Sequence, residues 1–474
     1  MDSIEFDLIP GSLRHPGVYT EYNTKNAVST LPTNEQEVLI IAPALGLTHE
    51  FSEPTRVYSD VQVAELLGYG SWAHLMSRIA ILNNPLIRLS VVGLADNSAG
   101  IAAKGSVQLA GTATGQGVIA LSIGSTEYKI AVSKGETAEA IANRLSALIN
   151  GTRDVPVSAE IEQTSDSQSA VKFTAKCKGE IGNEIAIAVR HSVPDLTVTA
   201  TAFSDGAENA DLTAALASVA GSHYHIIISP FTDDKNAKAL RDHLNAVSSP
   251  VEKKPAIGVL GWRGTMSGGS TFTEKINDGR VTVGWYKGAI DSCALIAAGF
   301  GAVIAGEEDP ARPLNTLEIN GLAETDPTQK PLFSEANQAL YHGLTPITVV
   351  NHRVQIMRAI TTYTKNATNT DDPSLLDLTT IRTLDYTRKA IEQRISLRFP
   401  RAKLSSRTPA KVKSEILDVL LRLEEQEILE NVAVHKGKLL VQRNGVDVNR
   451  LDCAIPADVV NGLHVVANRI DLIL

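Results

Sequence analysis

Glu37-Val38-Leu39-Ile40-Ile41-Ala42 decides the fold: after one polar residue come five apolar ones, a run of strand length with no polar face. Ser59 stands at a helix N-cap position, and Val63, Leu66 and Leu67 follow at helical spacing. A second helix near 72–82 leads into a strand at 87–92. Strand, helix, helix, strand implies an α/β layer. The same rhythm returns with a strand at 224–229, a helix bearing Ala237, Leu240, Leu244 and Val247, and a strand at 256–261. Val281, Val283 and Trp285 alternate as a third strand. The apolar run 293–306 reads as a buried helix, since it falls short of the roughly 20 residues needed to cross a bilayer and Gly299 and Gly301 interrupt it. Residues 347–350 and 354–360 read as a hairpin or paired strands.

Composition changes at Ala95-Asp96-Asn97-Ser98-Ala99-Gly100, beyond which Gly, Ala, Thr, Ser and Val dominate in short alternating runs. Strands are expected at 118–123, 127–132, 171–175 and 185–189. One helix is capped by Thr137, carries Ile141, Leu145 and Leu148 on one face, and has Gly151 just past its end. The stretch closes on the turn-rich Asp205-Gly206-Ala207-Glu208-Asn209, a mirror of its start. Residues 101–205 are therefore expected to form a small β-rich domain inserted into the α/β fold. Before the first strand, 1–35 reads as an arm punctuated by Pro10, Gly11, Pro16, Gly17 and Pro32, with its only strand-like stretch at Val18 to Tyr22. The expected division is an arm 1–35, a core 36–100, an inserted domain 101–205, a second core part 206–384, and a C-terminal domain 385–474. That last domain opens with helices around 385–398 and 408–429. Thr408 is expected to cap the second, with Pro409 in its first turn and Val412, Ile416, Val419, Leu420 and Leu423 in one stripe.

The 474 residues are 43% hydrophobic with a net charge of −9, which excludes disorder over most of the length. The N-terminus lacks a basic stretch followed by an apolar one, so no secretory signal is expected. Cys177, Cys293 and Cys453 lie too far apart for a zinc module or a disulfide framework. No phosphate-wrapping G-x-x-x-x-G-K-[ST], no H-E-x-x-H and no G-x-S-x-G occurs, and Gly68-Tyr69-Gly70 and Gly299-Phe300-Gly301 read as turn and packing glycines. His223 and His225 share one face of a strand, but two rings do not make a metal site, and Glu307-Glu308-Asp309 reads as a solvated turn. No catalytic residue, metal site or cofactor is expected.

Charge is more telling. Between Asp385 and Lys413 stand Arg388, Lys389, Arg394, Arg398, Arg401, Lys403, Arg407, Lys411 and Lys413, opposed only by Asp385 and Glu392. The helix starting at 408 then turns acidic, a polarity opposed to its macrodipole, which leaves a partner surface and an ordinary solvated face both open. Nucleic acid is a poor partner, because aromatics are few in the island and the chain is acidic overall. At the C-terminus Val466, Ile470, Leu472 and Leu474 alternate with Ala467, Arg469, Asp471 and Ile473. An apolar strand at a chain end is an aggregation hazard unless it is used. It either pairs inside its own subunit or is donated to a neighbour, and donation between different copies builds rings or filaments.

Four segments stand in a definite order: Pro16-Gly17-Val18-Tyr19-Thr20-Glu21; Leu67-Gly68-Tyr69-Gly70-Ser71; Arg358-Ala359-Ile360-Thr361-Thr362-Tyr363; and Val460-Asn461-Gly462-Leu463-His464-Val465-Val466 followed by Arg469-Ile470-Asp471-Leu472. Together they resemble contractile-tail sheath proteins of Mu-like bacteriophages, with 101–205 matching only as a variable inserted domain. The resemblance implies an α/β (α+β) sheath core built from the N- and C-terminal parts of the chain. It implies self-assembly as stacked rings around a tail tube protein, with baseplate and tail-terminator proteins as further partners and no membrane insertion. Such a sheath belongs to the virion, assembles in the host cytoplasm, and contracts to drive the tube through a bacterial envelope. Carried onto this chain, Pro16, Gly17, Val18, Tyr19, Thr20, Glu21 and Tyr22 would be one exchanged strand. Val466, Arg469, Ile470, Asp471, Leu472 and Leu474 would belong to the other. The basic island, at Arg394, Arg398 and Arg401, is expected to meet an acidic tube surface. Two other readings stay open: the sheath of a phage-derived bacteriocin or injection machine, and a cytosolic α/β enzyme whose site is assembled from distant residues.

Overall fold

The computed structural model describes residues 15–20, 31–165 and 168–473. Along the chain come β1 (Glu37–Pro43), β2 (Thr55–Val57), α1 (Asp60–Leu67), α2 (Trp72–Asn83) and β3 (Arg88–Leu94). Next are β4 (Lys104–Gly111), β5 (Gly117–Ile123), β6 (Thr126–Val132), α3 (Ala138–Gly151), β7 (Val157–Ser165), β8 (Gln168–Ala175), β9 (Ile187–His191) and β10 (Leu196–Ser204). Then follow α4 (Thr213–Val219), β11 (Ile226–Ile228), α5 (Asp234–Val247), β12 (Ile257–Trp262), α6 (Met266–Ile276), β13 (Val281–Trp285), α7 (Cys293–Gly306), α8 (Phe333–Tyr341), β14 (Thr345–Val350) and β15 (Arg353–Ile356). The rest is α9 (Leu378–Arg398), α10 (Thr408–Glu425), α11 (Val432–His435), β16 (Leu440–Arg443) and β17 (Leu451–Ala454). These elements divide between two compact units, 35–383 with 461–474, and 1–34 with 384–460. The last residues of the expected 385–474 domain thus group with the larger unit.

The larger unit is built on an eight-stranded sheet in the order β15-β14-β13-β12-β11-β1-β3-β2, parallel except at its two edge strands. A parallel sheet is covered on both faces, which is why β1 is apolar throughout. Its Val38, Ile40 and Ala42 pack with Met76 of α2 and Ile296 and Phe300 of α7, while Leu39 and Ile41 pack with Leu216 of α4, Leu240 of α5 and Phe272 of α6. β13 is likewise buried throughout. Its Val281, Val283 and Trp285 face the second cluster, and Thr282 turns its hydroxyl to the Ile360 carbonyl at 2.6 Å. On β12, a Cβ at Gly261 would fall inside the shell of the Cys293 carbonyl oxygen, so α7 approaches the sheet closely only over glycine.

Residues 101–205 contribute no strand to this sheet. They form an antiparallel four-stranded sheet, β10-β4-β8-β7, and a three-stranded one, β6-β5-β9, with α3 started by Thr137, whose hydroxyl accepts from the Ala140 N–H at 3.3 Å. The two connecting stretches run side by side: Ile101 bridges Ala207, and the Asn97 amide donates to the Asn209 carbonyl at 3.2 Å. Polar contacts tie this region to the core, among them the Asp154 pair with Arg78 of α2 at 2.6 Å, the Lys178 N–H donated to Asp96 at 3.0 Å, and the Glu184 carboxylate. Glu184 accepts the Cys293 N–H at the start of α7 at 2.6 Å, and Arg263 donates to the Glu184 carbonyl at 2.6 Å. Burial raises the Glu184 carboxyl above the usual range, against the pull of the Cys293 bonds and Arg263.

In the smaller unit the expected stripe on α10 is buried against Tyr386 and Ala390 of α9. Tyr386 donates to the Pro32 carbonyl at 2.7 Å and Lys389 to the Thr33 carbonyl at 2.8 Å, so the end of the expected N-terminal arm packs on α9. α9 begins earlier than expected, at Leu378, and Thr408 does not cap α10. Arg407 holds the cap position, while the Thr408 hydroxyl donates to the Lys403 carbonyl at 2.6 Å. β16 and β17 pair only with each other.

Candidate assembly interface

Among the described residues, the expected exchanged segments form no strand within this chain. Pro16, Gly17, Val18, Tyr19 and Thr20 are exposed and lie in no sheet, the Tyr19 hydroxyl meeting His15 at its Nδ1, 3.0 Å away, and at its carbonyl, 3.2 Å away; Glu21 and Tyr22 lie outside the described residues. Beyond the bridge of Val459 to Leu429, the C-terminal residues through 473 join no sheet. Val466 is exposed, Ile470 is 94% and Leu472 82% exposed, and Arg469 pairs with Asp471 at 2.7 Å; Leu474 lies outside the described residues. Among the described residues no edge of this fold meets the apolar residues of the C-terminal segment.

Edges without a strand partner among the described residues do exist. The eight-stranded sheet ends on β2 at one side, and the β16–β17 hairpin has two outer edges; at the other side β15 is already met by residues 316–319, with Glu318 bridging Gln355. A two-stranded sheet is marginal alone, and further strands would complete it.

The root of the C-terminal arm is built differently from the arm. His464 accepts at Nδ1 from the Asn315 amide at 2.9 Å and places Nε2 3.5 Å from Asp377. Arg358 grips Asp377 through two hydrogen bonds of 2.8 Å. Two of the family-like segments, one holding Arg358 and the other His464, therefore meet at a carboxylate that neither contains. Burial and the Arg358 charge depress the His464 pKa despite Asp377, which keeps the ring neutral.

The basic island needs correction. The Arg394 side chain is only 5% exposed and bonds Asp418 at 2.6 Å and Glu415 at 3.1 Å, and Arg398 lies 3.5 Å from Glu415. Arg394 cannot face a tube, because its charge is already matched inside the unit. The same pairs explain the unusual polarity of α10: its acidic residues answer arginines on α9. Solvent sees Arg401, Lys403, Arg407 and Lys411.

Elsewhere the candidate chemistry is structural. The His223 and His225 rings lie 4.1 Å apart, tilted by 32°, His225 accepts from the Glu37 N–H at 3.0 Å, and His223 sits 3.0 Å from the Pro255 carbonyl. Glu307 gives its carbonyl to buried Arg382 at 2.6 Å, and burial lowers that guanidinium to about 10. Sequence reading missed Glu184, Asp291 and Arg382 as buried charges; only their position beside strongly apolar or Thr-rich segments hinted at it. A cavity of about 430 Å³ lies between α2, the start of α7 and the β5–β6 turn, where Arg78 pairs with Asp154 at 2.6 Å and Asp291 accepts from the Ala323 N–H at 2.6 Å. Its carboxylates are engaged in holding the fold.

Comparison with known proteins agrees with this picture. Residues 205–362 match the phage tail sheath protein central domain, and 370–473 the phage tail sheath C-terminal domain. The chain is 33% identical to the Mu-like prophage FluMu tail sheath protein of Haemophilus influenzae, over 100% of both chains. Its fold is similar to that of a sheath tail protein from Desulfitobacterium hafniense, with a TM-score of 0.52 at 16% identity over 94% of this chain and 97% of that one. It is also similar to a chain of the anti-feeding prophage baseplate structure, with a TM-score of 0.50 at 12% identity over 98% of this chain and 100% of that one. A full-length relative at this identity settles the matter: the chain belongs to the phage tail sheath protein family, whose members are structural parts of a tail and not enzymes.

Proposed function

We propose that this chain is the repeating subunit of a contractile sheath, stacked in rings around a tail tube and linked from ring to ring by exchanged terminal arms. The observation that carries this reading is the C-terminal arm, apolar at alternate positions and exposed, on a chain whose β16–β17 hairpin and β2 edge lack further strand partners among the described residues. A neighbour's arm added to such an edge supplies main-chain hydrogen bonds and buries Ile470 and Leu472. Because donor and acceptor belong to different copies, the contact is heterologous and propagates. Contraction then needs no cofactor: a metastable extended lattice stores a few kcal/mol per subunit, and release is cooperative because packed interfaces are bistable. In this reading the eight-stranded core lies toward the tube and 101–205 outward. Arg401, Lys403, Arg407 and Lys411 replace Arg394 as the cationic face toward the tube. The baseplate and a tail terminator close the two ends, assembly occurs in the host cytoplasm, and the sheath drives the tube through the envelope for genome delivery. A bacteriocin or injection-machine sheath would use the same subunit mechanics.

Removing 465–474 tests the reading. The full chain is expected to form rings, tubes or sheath-like polymers in electron micrographs, and the truncated chain to sediment as a folded monomer. Normal tubes from the truncated chain would overturn arm exchange.

A further inference from the structure

From Asn461 to Ile473 every residue is exposed except Gly462 and His464. The His464 side chain is 14% exposed and seated by Asn315, Asp377 and Arg358 as described above. The backbone enters this seat through Gly462, where a Cβ would stand 2.7 Å from Pro313 and 2.8 Å from the His464 ring. Beyond the seat, the side-chain contact among the described residues is the local Arg469–Asp471 pair.

We propose that His464 is the pivot of the C-terminal arm, the positioning residue that fixes where the arm leaves the body and therefore which edge of a second copy it reaches. The proposal rests on the arm-exchange reading and adds a location to it. Residues 465–474 are ten in number, and at about 3.3 Å each they reach roughly 33 Å, so the acceptor edge on the neighbour lies within that distance of His464. Pinning also raises the effective concentration of the arm at that edge. An arm freed at 464 would swing from the bridge at Val459, on a longer tether with no set direction. Its effective concentration falls by about twofold from length alone, and further from lost orientation.

The test uses full-length chains: wild type, His464→Ala, His464→Asn, and the chain lacking 465–474. An asparagine keeps an acceptor where Nδ1 stands and can still take the Asn315 hydrogen bond. His464→Ala is expected to raise the critical concentration for polymerisation by about threefold or more. In the monomer it should speed amide exchange over 461–468 with the melting temperature of the body unchanged, and His464→Asn should restore most of both. Wild-type polymerisation by His464→Ala overturns the pivot. So does a fall in body stability with no rescue by asparagine, which would make His464 a packing residue. Polymerisation by the chain lacking 465–474 instead overturns arm exchange itself, so the two failures are told apart.

Discussion

Arg394 shows how a residue changes meaning when its surroundings are known. Its guanidinium lies buried between Glu415 and Asp418. Taking it away leaves Glu415 only Arg398 and Asp418 only Arg422, so Arg394→Met is expected to cost the smaller unit about 1–3 kcal/mol, measured by urea unfolding. Arg401→Glu, on an exposed residue, should stay within about 0.5 kcal/mol. The pair also has a pH signature. Burial pushes the Asp418 carboxyl up, but hydrogen bonds from Arg394 and Arg422 outweigh it and hold the pKa below its usual value. A depressed carboxylate stabilises the fold above its unfolded pKa, and this contribution is lost as pH falls through the folded value. Stability of the wild type should therefore drop below about pH 4, and Arg394→Met should flatten that drop. None of this was legible in one dimension. The partners lie 21 and 24 positions away, on another helix.

Among elements, legibility followed contrast. β1 and α7 were readable because each is apolar throughout, and α10 because its stripe is clean. β4, β7 and β10 were missed: in stretches such as Leu196-Thr197-Val198-Thr199-Ala200-Thr201, small and half-polar residues alternate with others of nearly the same hydropathy. The first turns of α9 were missed because Leu378-Thr379-Thr380-Ile381-Arg382-Thr383 is rich in threonine, a weak helix former, and its helicity is set by burial. The contact between β12 and α7 makes a direct prediction. Gly261→Ala drives a Cβ against backbone, which cannot rotate away, and should exceed the usual overpacking cost of about 1–3 kcal/mol. Gly301→Ala meets the end of the Ile228 side chain at 2.5 Å, which can turn, and should stay within that range. Thermal unfolding of the two variants checks the order.

For the molecule as a whole, the cysteines report on assembly. Cys177 and Cys293 are buried, and burial pushes the Cys177 thiol up to about 12, so neither should alkylate in the folded chain. Cys453 is exposed on β17, one of the edges open to a donated strand. Labelling followed by mass spectrometry should find Cys453 modified first in the monomer. In the polymer its modification should be at least tenfold slower if β17 accepts an arm, and an unchanged rate would point to β16 or β2 as the acceptor. Half of what the arm proposal rests on was legible: the terminal alternation stands in the sequence, whereas the seat of His464 depends on Asp377, which belongs to no motif.

The arm also has a mechanical meaning. A polypeptide already drawn out at about 3.3 Å per residue has almost no length left to give, because bond lengths and angles are stiff and only torsions are soft. In the arm exchange proposed above it would behave as a tendon: it goes slack under compression and bends beyond its seat at His464, but it does not stretch. A lattice tied by such tendons can twist and shorten while each subunit keeps its neighbour at a capped distance, so force applied at one end arrives at the other without being spent on elastic extension.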